Sequence, residues 1–306
     1  MTTTSPFIAF HPSFVHALPK GHRFPMLKYD LLPQQLLYEQ VVEKDDFFQP
    51  ACLPLDYLKG VHEDAYWKRF IMLSLDKKEI QRIGFPQNKE IVNRELRIAQ
   101  GTLTAAEVAL KKTGLGFNIA GGTHHAGKDF GEGFCMLNDQ AIAAYYLLEK
   151  QGLNKILIVD LDVHQGDGTA DIFEKEDRVF TLSVHGENNF PFEKRASDLD
   201  VGLADDISGD EYLCTLDKTL NRLFDTVEPE FVFFQSGTDV LQTDTMGRLK
   251  LDKEACRQRD QLVFNYCKDY HLPVQVSMGG GYSKQIRNIV DAHCNTFKEG
   301  IGCLFG

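Results

Sequence analysis

The chain has 306 residues, 43% hydrophobic and 25% charged, with 33 Lys and Arg against 44 Asp and Glu for a formal net charge of −11. That composition is ordinary for a globular protein, and the acidic balance argues against direct nucleic-acid binding, which needs a basic footprint. No apolar run approaches the ~18 residues of a membrane span, Met1 to Pro6 lacks the pattern of a secretory signal, and seven scattered cysteines without a Cys-x-x-Cys pair suit reduced thiols in a cytoplasm, or a nucleus in a eukaryotic host.

Pro6 to Phe10 reads as a first strand, followed by a loop to about Lys28. Amphipathic segments near Leu32 to Val42 and Asp64 to Leu73 read as helices, with an irregular Pro-containing stretch around Gln49 to Leu55 between them. Lys89 to Thr113 is a long helical pattern, interrupted by Gly101 and stopped by Gly114. Beyond it apolar strand runs alternate with helices over Asp139 to Lys150, Gly209 to Thr226, Asp252 to Tyr270 and Lys284 to Phe297. Ser208 and Asp252 stand as caps with acids in the first turn. The alternation predicts one α/β domain over 1–306, a mostly parallel sheet with helices on both faces.

Four strand ends carry chemistry. Lys155 to Val159 is a β-branched run of the kind buried on both faces, and it leads into Asp160, Asp162, His164 and Asp167. Acids and an imidazole at such a place are costly unless a cation or protons offset them. Residues two apart on extended backbone point the same way, so Asp162 and His164 can converge on one metal. The plainer reading is an acidic turn capping the next helix. Leu115 to Ile119 leads into Gly121-Gly122-Thr123-His124-His125, Phe231 to Gln235 into Ser236-Gly237-Thr238-Asp239, and Val274 to Ser277 into Met278-Gly279-Gly280-Gly281-Tyr282. In open α/β sheets ligands sit beyond the carboxyl ends of the strands, where these segments would meet. The glycine run fits neither a dinucleotide fingerprint nor a P-loop.

These segments, with Gly131 to Asp139, resemble in order the zinc-dependent histone deacetylases and related acyl-lysine and acetylpolyamine deacetylases. The nearest likeness is to the short class IV branch, from the compact length, the Asp162-Val163-His164-Gln165-Gly166 form and Tyr282 to Asp291. The resemblance implies the arginase/deacetylase three-layer α/β sandwich and a zinc ion held by Asp162, His164 and Asp239. The oxygen-rich donor set also admits Fe(II). It pairs His124 with Asp160 and His125 with Asp167, each carboxylate orienting its imidazole, with His125 the main base and acid. Tyr282 would donate its hydroxyl to the developing oxyanion. Phe134 and Phe190 match the walls around an acyl-lysine stem, and the Gly133 carbonyl matches an acceptor for the amide N–H. A structural potassium site is implied at Asp160, Ser183 and the carbonyls of Asp162, His164 and Val184.

Two departures stand out. Where many family members carry a rim Asp that grips the peptide backbone, this chain reads Ile83-Gly84-Phe85-Pro86-Gln87-Asn88, without a carboxylate. Gln165 stands where a second His is common. The expected function is therefore removal of acetyl or longer acyl groups from acyl-lysine, with acetylpolyamines or other small acyl-amines as the alternative substrates. An arginase-like binuclear centre would need further acids directly after His164, where Gln165 and Gly166 intervene. A non-catalytic binding subunit of the same fold would not need the His pair and Tyr282.

Overall fold

In the computed structural model residues 5–306 are described; Met1–Thr4, part of the segment read for a leader pattern, lie outside the described residues. The described residues form eight strands: β1 (Phe7–Ala9), β2 (Phe47–Phe48), β3 (Leu115–Asn118), β4 (Ile156–Asp160), β5 (Val179–Gly186), β6 (Leu199–Leu203), β7 (Phe231–Gln235) and β8 (Val274–Ser277). They form one sheet in the order β2-β1-β3-β8-β7-β4-β5-β6, and every pairing is parallel. Parallel pairing needs covered faces, and β3, β4, β7 and β8 are buried at every residue.

The covering helices are α1 (Lys28–Tyr38), α2 (Asp64–Ile71), α3 (Lys77–Ile83), α4 (Lys89–Val108), α5 (Asp139–Gln151), α6 (Asp167–Phe173), α7 (Gly209–Val227), α8 (Lys253–Asp269) and α9 (Ile286–Phe305). Neighbouring residues of β3 show the two layers, because successive side chains leave a strand on opposite faces. A Cβ at Gly116 would stand 2.3 Å from the Ala105 carbonyl of α4, whereas Phe117 stacks on Phe297 of α9 at 4.1 Å. Helices α4 and α5 pack together on one side, and α7, α8, α9 and α1 pack in series on the other. The fold is thus the arginase/deacetylase-like sandwich expected, with a sheet that is wholly parallel.

Several boundaries differ from expectation. Helix α1 begins at Lys28 and ends at Tyr38, so Val42 lies outside it. Gly101 does not interrupt α4: it is helical and buried, and a Cβ there would come 2.9 Å from the Ala9 side chain. Its role is close approach to β1. Helix α4 passes directly into a π-helical turn over Ala109–Thr113, which Gly114 ends at φ 74°. Helix α9 runs on to Phe305. Strands β2, β5 and β6 and helices α3 and α6 were not anticipated. The expected caps are present, Ser208 accepting from the Glu211 N–H and Asp252 from the Ala255 N–H at 2.7 Å.

Candidate active site

Strands β3, β8, β7 and β4 are consecutive in the sheet, although β7 and β8 come last in the chain. Their carboxyl ends therefore bring four distant loops to one place. Asp162, His164 and Asp239 each offer a ligand atom, all within 4.8 Å of one another, and all three are buried. His164 Nδ1 lies 3.1 Å from Asp162 Oδ1 and 3.1 Å from Asp239 Oδ2. Backbone N–H groups fix the carboxylates: Gly280 donates to Asp162 Oδ2 at 2.8 Å and Val163 to Asp239 Oδ1 at 3.0 Å. Gly280 must be glycine, because a Cβ would stand 2.0 Å from Asp239 Oδ2.

The electrostatics ask for a cation. Burial and the Asp162 charge push Asp239 up to about 7. His164 is pulled down by burial, yet the two carboxylates outweigh this and push it up to about 10. One imidazole proton thus stands in for a shared positive charge between two buried acids. Two carboxylates and a nitrogen fit Zn²⁺ or a similar divalent ion.

The two histidines form separate dyads. His124 Nδ1 lies 2.6 Å from Asp160 Oδ2 and His125 Nδ1 2.6 Å from Asp167 Oδ1, with ring centroids 4.1 Å apart. Burial depresses His124, but Asp160 and Asp162 overcome it and push the imidazole up to about 9. Burial and the neighbouring His124 charge hold His125 below its usual value. The pair is split into one imidazole that keeps its proton and one that accepts. Tyr282 stands with its ring 6.3 Å from that of His164. Burial, then Asp239 and Asp162, hold its phenol well above 10, so it remains a donor.

A groove leads from the surface to His125, His164 and Tyr282 between Phe134 and Phe190, with Gly133 in its wall. Phe190 packs edge-on to His125 at 5.2 Å. Phe134 takes φ 68°, a left-handed conformation costly for a side-chain-bearing residue, immediately after Gly133 at φ 53°. For the expected potassium ligands, Asp160 and Ser183 are register partners on β4 and β5, with Val184 next along. Ser183 Oγ turns to His185 Nδ1 at 2.9 Å.

Other residues hold this arrangement and were not singled out from sequence. Asp139 accepts from the Gly122 and Thr123 N–H groups, at 3.0 and 2.8 Å, and so clamps the histidine loop. Asp244 accepts from the Tyr282 N–H at 2.6 Å. Buried Lys28 donates to the Gly279 carbonyl at 2.8 Å. Buried Arg259 donates to the Gly237 carbonyl at 2.6 Å and the Leu161 carbonyl at 3.2 Å, tying two ligand loops together. The signal available for Lys28 was a lysine flanked by Phe24, Met26, Leu27 and Tyr29; Asp244 offered none beyond its nearness in sequence to Asp239.

The histone deacetylase domain family matches residues 22–297. The chain is 41% identical over 286 residues to an uncharacterised protein of Picosynechococcus sp., covering 94% of this chain and 95% of that one. It is 31% identical to Histone deacetylase 2 of Arabidopsis thaliana, covering 93% and 76% respectively. A crystal structure of a histone deacetylase homolog from Aquifex aeolicus superposes with a TM-score of 0.83 at 24% identity, covering 97% of this chain and 84% of that one. Family and fold together support a hydrolase that deacetylates. The chain belongs to the histone deacetylase family.

Proposed function

We propose that the protein is a zinc-dependent deacylase of N-acyl-lysine side chains, acting as one catalytic domain over 1–306. The observation that carries this reading is the buried Asp162–His164–Asp239 cluster at the foot of a groove walled by Phe134 and Phe190 and faced by Tyr282. Asp162, His164 and Asp239 would hold the ion, with Fe(II) the alternative. Such an ion supplies a Lewis acid for the amide carbonyl and an acidified water.

The remaining work falls to the chain. Phe134 and Phe190 exclude water from the methylene stem, and the Gly133 carbonyl accepts the amide N–H. His125 takes the proton from the attacking water and delivers it to the leaving amine, with Asp167 fixing its tautomer. His124, kept charged by Asp160, adds positive field beside the reacting carbonyl. The Tyr282 hydroxyl donates to the developing oxyanion. Asp160, Ser183 and the carbonyls of Asp162, His164 and Val184 would hold potassium, a hard cation suited to oxygen donors.

The test is a panel of acyl-lysine peptides and acylpolyamines, from acetyl to long-chain, with metal-reconstituted protein. Hydrolysis of acyl-lysine with one catalytic metal per chain is expected, and Asp162→Ala should lose metal and turnover together. Absence of acyl-lysine hydrolysis by the loaded protein, or undiminished metal in the variant, would overturn the reading.

A further inference from the structure

The mouth of the groove carries a charge pattern that the catalytic reading does not use. Three guanidinium groups, Arg23, Arg82 and Arg248, border it together with one carboxylate, Glu132. Arg82 is paired with Glu132, and its guanidinium lies 4.3 Å over the Phe130 ring. Arg248 is paired with Asp205 at 3.2 Å. Arg23 is exposed and has no ion pair or side-chain hydrogen bond among the described residues. Its guanidinium carbon lies 5.8 Å from the centre of the Phe134 ring, the wall of the groove. The mouth is therefore cationic on a chain whose net charge is −11.

The segment that presents Arg23 is anchored. The Phe24 N–H donates to His22 Nδ1 at 3.1 Å, which puts the imidazole proton on Nε2, and this donates to the Gly84 carbonyl at 2.9 Å. The same rim is tied to the groove wall, the Phe134 N–H donating to the Ile83 carbonyl at 2.7 Å. Arg23 thus projects from a fixed loop beside the stretch that lacks a rim carboxylate. A planar guanidinium with free donors matches a carboxylate in shape and charge, and it repels an ammonium.

We propose that Arg23 selects substrates bearing a carboxylate on the amine side of the scissile amide, and disfavours cationic acylamines such as acylpolyamines. This deepens the deacylase reading and rests on it. The carboxylate has two chemical sources: the α-carboxylate of a free or C-terminal acyl-lysine, or an acidic side chain next to an acyl-lysine in a peptide.

The experiment compares four acetyl amides on the metal-loaded protein: acetyl-lysine with a free α-carboxylate and blocked α-amine, an acidic-flanked peptide, a neutral doubly blocked acetyl-lysine, and monoacetylputrescine. At low salt one or both anionic amides should exceed the neutral one in kcat/KM by about fivefold, the size of a well-placed exposed ion pair. The neutral amide should exceed the cationic one by a similar factor. Arg23→Glu should reverse the order, and high salt should flatten it. Ratios within one preparation cancel any loss of folded or metal-loaded protein. A flat series, or an order that survives Arg23→Glu, would overturn the proposal while leaving the deacylase reading intact. Failure to cleave any of the three acetyl-lysine amides would strike that reading instead; calorimetric binding of the same amides would then read the charge preference, and equal affinities would overturn it.

Discussion

Gly280→Ala places the smallest possible side chain against the proposed metal ligands, so its effect can be worked from the structure. The added methyl carbon would lie 2.0 Å from Asp239 Oδ2 and 2.8 Å from Asp162 Oδ2, where real Cβ contacts do not fall below 3.0 Å. Something must move by at least about 1 Å, a misplacement that costs on the order of 10²-fold at a reacting centre. The backbone cannot simply retreat. The Gly280 N–H donates to Asp162 at 2.8 Å and its carbonyl accepts from the Thr238 N–H at 3.0 Å. Giving up the first forfeits a charge-assisted bond worth about 1.5–3 kcal/mol. Metal affinity should fall by about 10- to 100-fold, as when a group supporting a ligand is lost. Competition against a chromogenic chelator measures this directly, with the melting of the metal-free variant as the control for folding. Metal affinity equal to that of the unaltered protein would refute the reasoning.

Tyr282→Phe should lower kcat by about 10²–10³ with metal content unchanged, as expected for one oxyanion donor; steady-state kinetics beside metal analysis tests it. Arg259→Ala removes the partner of buried Asp260, paired at 2.7 Å, and the donor to two ligand-loop carbonyls. Denaturant unfolding should show a loss of about 3–5 kcal/mol. His62 makes stability depend on pH. Burial holds its imidazole down at about 4, against 6.5 when free; the Gly127 carbonyl lies 2.7 Å from Nδ1, and Nε2 accepts from the Asn138 N–H at 3.0 Å. Because the folded value is depressed, its contribution is fully present above pH 6.5 and is lost as pH falls toward 4. The loss amounts to about 3 kcal/mol. His62→Gln should flatten that part of the melting-temperature profile, and an unchanged slope would remove His62 as its source.

The strands that deliver the site were the legible part of the sequence. β4 and β7 are apolar runs broken only at their last residue, Asp160 and Gln235, a signature of central parallel strands, and β8 was marked by the glycine run that follows it. Strand β5 is hard to read in the sequence because Thr181, Ser183 and His185 alternate with Leu182 and Val184, the pattern of a half-exposed segment. Those polar groups are in fact buried with local partners, Thr181 on Asp198 at 2.9 Å and Ser183 on His185 at 2.9 Å. Edge strand β6 alternates half-buried and exposed residues, and β2 has only two residues. The Asp162–His164–Asp239 cluster was legible because its residues follow strand ends, whereas the pairing of the two dyads came from the family resemblance. The supports were not, since Asp139, Asp244 and Arg259 act through backbone groups far away in sequence. Nothing in a linear string marks a carbonyl that will need a donor.

The insertion of β8 and β7 between β3 and β4 has a consequence for biogenesis. The chain up to His164 carries both histidines of the dyads and two of the three groups of the Asp–His–Asp cluster, yet the strands bearing them are not joined until the last third is made. During synthesis the cluster has no way to close until residue 239 and the glycine run behind it leave the ribosome. Such distant pairing is slow to form, and until it forms Asp239 is not beside Asp162 and His164. Tight metal retention would therefore report that β4, β7 and β8 have come together.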